Sequence, residues 1–195
     1  MRALLLFDID GVIRDVSKSY RLAIQKTVYY FNKSTPTLKE IDELKNEGEW
    51  NNDWDASLEL IKRNLILSKK SLQAPFREEV IKVFTEFYFG GNSNQKSSDW
   101  TGFINKEQLL VDKEFFQSLT NKKICWGFVS GAERASAKFV LETRIGLKEP
   151  PLISMGEAPE KPDPTGLLML TKKLIDINNC KKYNLPVFYL GDTVA

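Results

Sequence analysis

The hexapeptide Phe7-Asp8-Ile9-Asp10-Gly11-Val12 constrains this chain more than any other stretch. It closes the apolar run Ala3-Leu4-Leu5-Leu6-Phe7, which predicts a buried β-strand over roughly residues 3–8. Side chains two apart on an extended backbone fall on the same side, so Asp8 and Asp10 form a carboxylate pair at the strand's C-terminal end. Gly11 lets the chain turn away sharply. In open α/β sheets the carboxyl ends of the strands are where ligands bind. Paired acids there can hold a divalent cation, and can divide the work of nucleophile and general acid/base. The plainer alternative is a strand that ends in a polar turn.

Hydrophobic spacing organises the rest. Helical periodicity runs from Ser17 to Phe31 through Tyr20, Ala23, Ile24, Val28 and Phe31. Thr37 and Glu40 have capping-box spacing for a helix to about Lys45. Trp54, Leu58, Ile61 and Leu65 predict a third helix, and Phe76, Val80, Phe84 and Phe87 a fourth. Gly90-Gly91-Asn92-Ser93-Asn94-Gln95 reads as a loop. A helix over 107–120 would pack Val111, Phe115 and Leu119. Residues 123–129 are apolar throughout, as suits a strand buried on both faces. A helix from about Glu133 to Ile145, a short strand at 152–154, a helix after Asp163-Pro164 to about Ile177 and a strand over 186–190 complete the order.

This order is α/β: a doubly wound, mainly parallel, Rossmann-like sheet with an all-helical block inserted after the first strand. A direct strand–helix–strand unit needs only about 30 residues. Far more chain than that lies between Asp10 and Ser130. The insert is assigned to residues 16–103 and the core to 1–15 and 104–195, with linkers near Arg14–Ser17 and Ser97–Asn105.

Three later segments repeat the pattern of an apolar strand or loop ending in a reactive residue. They are Ile124-Cys125-Trp126-Gly127-Phe128-Val129-Ser130-Gly131-Ala132, then Glu160-Lys161-Pro162-Asp163-Pro164, then Val187-Phe188-Tyr189-Leu190-Gly191-Asp192-Thr193-Val194-Ala195. Singly, each has an ordinary reading as a strand-end turn or a solvated loop lysine. Together with Asp8-Ile9-Asp10-Gly11-Val12, in this order, they resemble the four motifs of haloacid dehalogenase (HAD) superfamily hydrolases, with the insert in the place of a type-1 helical cap. The resemblance spans residue 3 to the last residue. It departs in one respect: the second acid of the GDxxxD pattern would follow Ala195. The sequence is then either a fragment or a truncated form, since such proteins usually continue with a further strand and helix.

The resemblance implies roles. Asp8 is the nucleophile and forms an aspartyl-phosphate. Asp10 is the general acid, then the base that activates water. Ser130 donates its hydroxyl and its backbone N–H to phosphoryl oxygens, with Gly11 and Gly131 permitting close approach. Lys161 neutralises charge. Mg²⁺ is held by Asp8, the Asp10 carbonyl and Asp192, an all-oxygen set of the kind that cation prefers. An Asp two residues after the nucleophile is typical of the family's phosphatases and phosphomutases.

Arg14 and Asn52 are weaker candidates for substrate contact. The favoured readings are a surface ion pair of Arg14 with Asp15 or a residue of the insert, and a helix N-cap at Asn52. The activity implied is a Mg²⁺-dependent phosphatase of a small phosphorylated metabolite. A phosphomutase of the same family and a non-catalytic interaction module are the alternatives.

Composition excludes several other classes. The chain contains no histidine, which rules out Ser-His-Asp and Cys-His mechanisms and His-ligated zinc. A net charge of +2 gives no electrostatic case for nucleic acid or an anionic membrane. No apolar run approaches bilayer length, and Met1-Arg2 leads into the first strand without a cleavage-site pattern. Cys125 and Cys180 read as reduced and structural, which fits a cytoplasmic protein.

Overall fold

The computed structural model describes residues 1–68, 73–91, 96–178 and 185–192. Cys180, the Asn92–Gln95 part of the expected loop and Thr193–Ala195 lie outside the described residues. The chain divides into two units: residues 1–16 with 108–195, and residues 17–107.

The first unit is built on a parallel sheet. The apolar run forms β1 (Ala3–Phe7), and β2 (Arg14–Asp15) follows it directly. Beyond the insert come β3 (Gln108–Leu109), β4 (Ile124–Val129), β5 (Leu152–Ile153) and β6 (Val187–Leu190). The main sheet has the order β5-β4-β1-β6, which places β1 in its interior. Every pairing in it is parallel, with Leu6 opposite Gly127 on one side and Tyr189 on the other. β2 and β3 form a separate antiparallel pair, Arg14 opposite Leu109.

Both faces of the sheet are packed, by alternating sets of side chains. Leu4 and Leu6 join Val129, Ile153, Leu170 and Leu174 in one buried cluster beneath the helix Thr165–Ile177. Phe7 turns the other way, edge-on to Phe115 and Phe116. β6 is the exception: it pairs only with β1 among the described residues, and all four of its side chains are exposed.

The second unit is helical: α1 (Ser19–Asn32), α2 (Leu38–Asn46), α3 (Asp53–Leu67) and α4 (Arg77–Phe89). Its local signals behave as the sequence predicts. The Thr37 hydroxyl accepts from the Glu40 N–H while the Glu40 carboxylate accepts from the Thr37 N–H, a complete capping box. The apolar stripes bury Ile24 and Val28, Ile61, and Val80 and Phe84, and Tyr20 stacks on Tyr88 at 4.7 Å.

This unit extends to Glu107 rather than ending at 103. The reason is local: Ile104 is fully buried, and buried Glu107 accepts hydrogen bonds from Ser19 Oγ (2.6 Å) and the Tyr88 hydroxyl (3.0 Å).

The expected helix over 107–120 starts later. Residues 108–109 are taken by β3, and α5 covers Lys113–Asn121, capped by Asp112, whose carboxylate accepts from the Phe115 N–H. The helix buries Phe116 and Leu119, while Phe115, expected in the core, is partly exposed. The helix expected from Glu133 begins as α6 (Arg134–Lys138) and widens over Phe139–Arg144, where the Ile145 N–H reaches back five residues to the Val140 carbonyl. The last helix, α7 (Thr165–Ile177), has Asp163 Oδ1 accepting from the Thr165 N–H. Among the described residues no helix is long and apolar enough to cross a membrane.

Candidate active site

Three neighbouring strands deliver polar residues to one edge of the sheet. β1 ends into Asp8, β4 into Ser130 and β6 into Gly191-Asp192. Backbone hydrogen bonds continue one step past the strands: the Asp8 N–H donates to the Leu190 carbonyl at 2.8 Å, and the Ser130 N–H to the Ile153 carbonyl at 3.0 Å.

Asp8 is buried at 8% exposure. Its Oδ1 accepts from the Ile9 N–H at 2.8 Å. Its Oδ2 accepts from the Lys161 ammonium and from the Tyr189 hydroxyl, the latter at 3.3 Å. Lys161 also donates to the Tyr189 hydroxyl at 3.1 Å. Burial pushes the Asp8 carboxyl above its ordinary value and the neighbouring Asp10 charge adds to this, while Lys161 and the Ile9 N–H oppose it. Burial works against the Lys161 ammonium too, but its hydrogen bonds to Asp8 and Tyr189 outweigh that and raise its pKa. Tyr189 is likewise pushed up, first by burial, so its proton stays on at neutral pH.

Asp10 is held separately. Arg14 Nε donates to Asp10 Oδ1 at 2.7 Å, and Arg14 Nη2 to Ser136 Oγ at 3.3 Å. Arg14 is fully buried, not at the surface mouth where the sequence put it. The turn Ile9–Ile13 folds the chain back so that the Gly11 N–H meets the Arg14 carbonyl, which draws the long side chain inward beside Asp10.

Gly11 has φ +74°, and a Cβ on it would collide with the Asp192 carboxylate. Glycine therefore serves twice, for the left-handed turn and for the close approach of a second strand-end acid. Asp8 and Asp192 both follow strands at this edge of the sheet, and carboxylate oxygens are ligands that suit a hard divalent cation. Among the described residues no group of three or more acidic, His or Cys side chains gathers as a metal centre. A set of this kind would be completed by backbone carbonyl and water.

Ser130 is buried, and its Oγ accepts from the Ala132 N–H at 3.0 Å. The Ser130 N–H, expected to face a phosphoryl group, is instead bonded to Ile153 in the sheet. The hydroxyl proton remains, and there is open space where a Gly131 Cβ would be. The loop is braced from the β5 side. The Met155 N–H donates to the Ala132 carbonyl, and Arg134 pairs with Glu157 at 2.6 Å. The Ser154 hydroxyl, with Arg134 helping, holds Glu157 below the usual carboxylate range.

Asn52 lies in the helical unit as the N-cap of α3, its Oδ1 accepting from the Trp54 and Asp55 N–H groups. The structure thus brings together Asp8 with Lys161, Asp10 with Arg14, and Gly11 with Asp192.

It also adds Tyr189, which sequence reading treated as one more apolar strand residue. The signal lay in the register. Tyr189 is opposite Leu6, Leu6 and Asp8 are two apart, and the three therefore share a face.

The sequence matches the haloacid dehalogenase-like hydrolase family over residues 3–194. The chain belongs to that family. Among curated proteins it is 34% identical over 173 residues to an imidazoleglycerol-phosphate dehydratase of Phytophthora nicotianae, a match that takes in 87% of this chain and 36% of that protein. The chain thus spans about a third of the length of this curated relative. Among solved structures, this HAD-like hydrolase is similar to the phosphatase Tt82 from Thermococcus thioreducens, with a TM-score of 0.68 and 23% identity over 97% of this chain and 93% of that one. It is also similar to a HAD hydrolase, family IA, variant 3, from Entamoeba histolytica, with a TM-score of 0.56 and 17% identity over 89% and 70% of the two chains. At these identities the structures establish a shared fold.

Proposed function

We propose that this HAD-like hydrolase is a metal-dependent phosphatase that cleaves a small phosphorylated metabolite through an aspartyl-phosphate on Asp8. The observation that carries this reading is the setting of the Asp8 carboxylate. It is buried, at the carboxyl edge of a parallel sheet, and fixed through both oxygens by the Ile9 N–H and the Lys161 ammonium. A carboxylate needs no deprotonation at neutral pH, and an adjacent ammonium offsets the repulsion between it and an anionic ester.

The chemistry balances with the residues at hand. An Asp8 oxygen attacks phosphorus, the bond from phosphorus to the ester oxygen breaks, and Asp10 gives its proton to the departing alkoxide. Asp10 then takes a proton from water as that water attacks the phosphoryl group. Inorganic phosphate leaves and the Asp8 carboxylate is restored. Lys161 and the Ser130 hydroxyl stabilise the charge on the equatorial oxygens. Arg14 keeps Asp10 in place through the 2.7 Å contact. Asp8, the Asp10 carbonyl and Asp192 would hold Mg²⁺, which supplies further neutralisation of phosphoryl charge when bound. Under this reading the helical unit serves as the cap that selects the leaving group.

The Phytophthora relative is named for action on imidazoleglycerol phosphate, itself a phosphate monoester. That compound and its close analogues belong in a substrate screen beside sugar phosphates, phosphoglycolate, nucleotides and amino-alcohol phosphates.

The direct test is hydrolysis of p-nitrophenyl phosphate with Mg²⁺ and with chelator, for the wild type and Asp8→Asn. Metal-dependent turnover that falls by about three orders of magnitude or more in the variant is expected. Equal turnover in the two proteins would refute the nucleophile assignment.

A further inference from the structure

Tyr189 stands in the apolar strand of the fourth motif and was given no role there, yet its hydroxyl lies between the two groups on which the proposed chemistry depends. We propose that Tyr189 is a positioning residue, holding the Lys161 ammonium and Asp8 Oδ2 in one hydrogen-bonded triangle so that the carboxylate presents a fixed oxygen to phosphorus. This rests on the phosphatase reading and deepens it.

Three features support the triangle. The register puts Tyr189 opposite Leu6, hence on the face from which Asp8 emerges one step further along the sheet. The ring also has a place made for it. A Cβ on Gly191 would lie 3.0 Å from Tyr189 Cε1 and 3.1 Å from its hydroxyl, so the absence of a side chain at 191 leaves the room that the ring occupies. The Lys161 ammonium further lies 5.7 Å from the centre of the same ring.

The donor and acceptor counts close as well. The tyrosine hydroxyl accepts one hydrogen bond, from Lys161, and donates one, to Asp8. Lys161 uses two of its three protons on Asp8 and Tyr189, which leaves the third for an incoming phosphoryl oxygen. Asp8 is bound by Ile9 at Oδ1 and by Lys161 and Tyr189 at Oδ2, so its carboxylate plane cannot rotate freely. Such orientation is worth rate, because attack requires a defined approach. Without the hydroxyl, Asp8 is the sole acceptor left to Lys161 within this triangle.

The test is Tyr189→Phe, which keeps the ring and removes only the hydroxyl. With Mg²⁺ and p-nitrophenyl phosphate, kcat should fall about tenfold, with KM within about twofold of wild type and an unchanged melting temperature. Gly191→Ala should move kcat the same way, by crowding the ring. A second readout does not need turnover: the rate at which an amine-directed acylating reagent labels Lys161 in metal-free protein, followed by peptide mass spectrometry. Exposed Lys39 serves as the internal reference. Lys161 should label several-fold faster in Tyr189→Phe, while Lys39 is unchanged. Equal Lys161 labelling in the two proteins overturns the proposal, as does a loss confined to KM or accompanied by a lower melting temperature. A wild type that fails to turn over the ester would instead sink the phosphatase reading, and the labelling rates would then decide the triangle alone.

Discussion

The buried setting of Asp8 costs stability once its carboxyl ionises. Burial raises its pKa above the ordinary 3.8, so the folded chain holds this proton more tightly than the unfolded chain does. The stability it contributes is therefore complete below that ordinary value, and is lost as pH rises through the raised folded value. Asn at this position has no charge to desolvate. In metal-free buffer, Asp8→Asn should gain on the wild type in urea midpoint as pH climbs from about 4 to about 7. A gap that stays constant over this range would contradict the sign. Asp8, Asp10, Ser130, Lys161 and Asp192 are legible as candidates in the sequence, because together and in this order they carry the resemblance to the four HAD motifs. What their side chains do is less so. Arg14 is charged and follows a turn, which reads as surface; its burial depends on Asp10 and on Ser136, more than a hundred residues away. Tyr189 was hidden for the same reason, since only strand register sets it beside Asp8.

At the scale of elements, local signals were reliable and long-range ones were not. The Thr37 and Glu40 capping box and the apolar stripes of α1, α3 and α4 need only a few neighbouring residues. The pairing of Arg14 with Leu109 needs two distant dipeptides, and no local pattern announces it. This pairing makes α5 start later than spacing predicts, and Phe116 rather than Phe115 joins Leu119 in the core. The correction can be measured. Phe116 is fully buried, edge-on to Phe7 and Phe128, so Phe116→Ala should destabilise by roughly 3–5 kcal/mol. Phe115 is 36% exposed, and Phe115→Ala should lower stability by only about 1 kcal/mol. Chemical denaturation separates the two, and losses in the opposite order would restore the face that spacing alone suggests.

Across the whole molecule, the two units differ in how they are assembled from the chain. Residues 17–107 form one uninterrupted stretch, whereas the sheet unit joins residues 1–16 to residues 108–195. In refolding, amides of α1, α3 and α4 should gain protection from hydrogen exchange before those of β1, whose partners are so remote in sequence. Pulse labelling would detect this, and simultaneous protection of both sets would exclude it. The interior position of β1 carries a consequence for the newborn chain. Leu4 emerges from the ribosome long before Cys125, its first sheet partner, by about 10 s at ordinary rates of synthesis. Throughout that interval the five apolar residues of β1 have no strand to lie against, and two carboxylates follow directly behind them. Asp8 and Asp10 place two negative charges directly beside that unpaired apolar run, which opposes its self-association until β4 has been made.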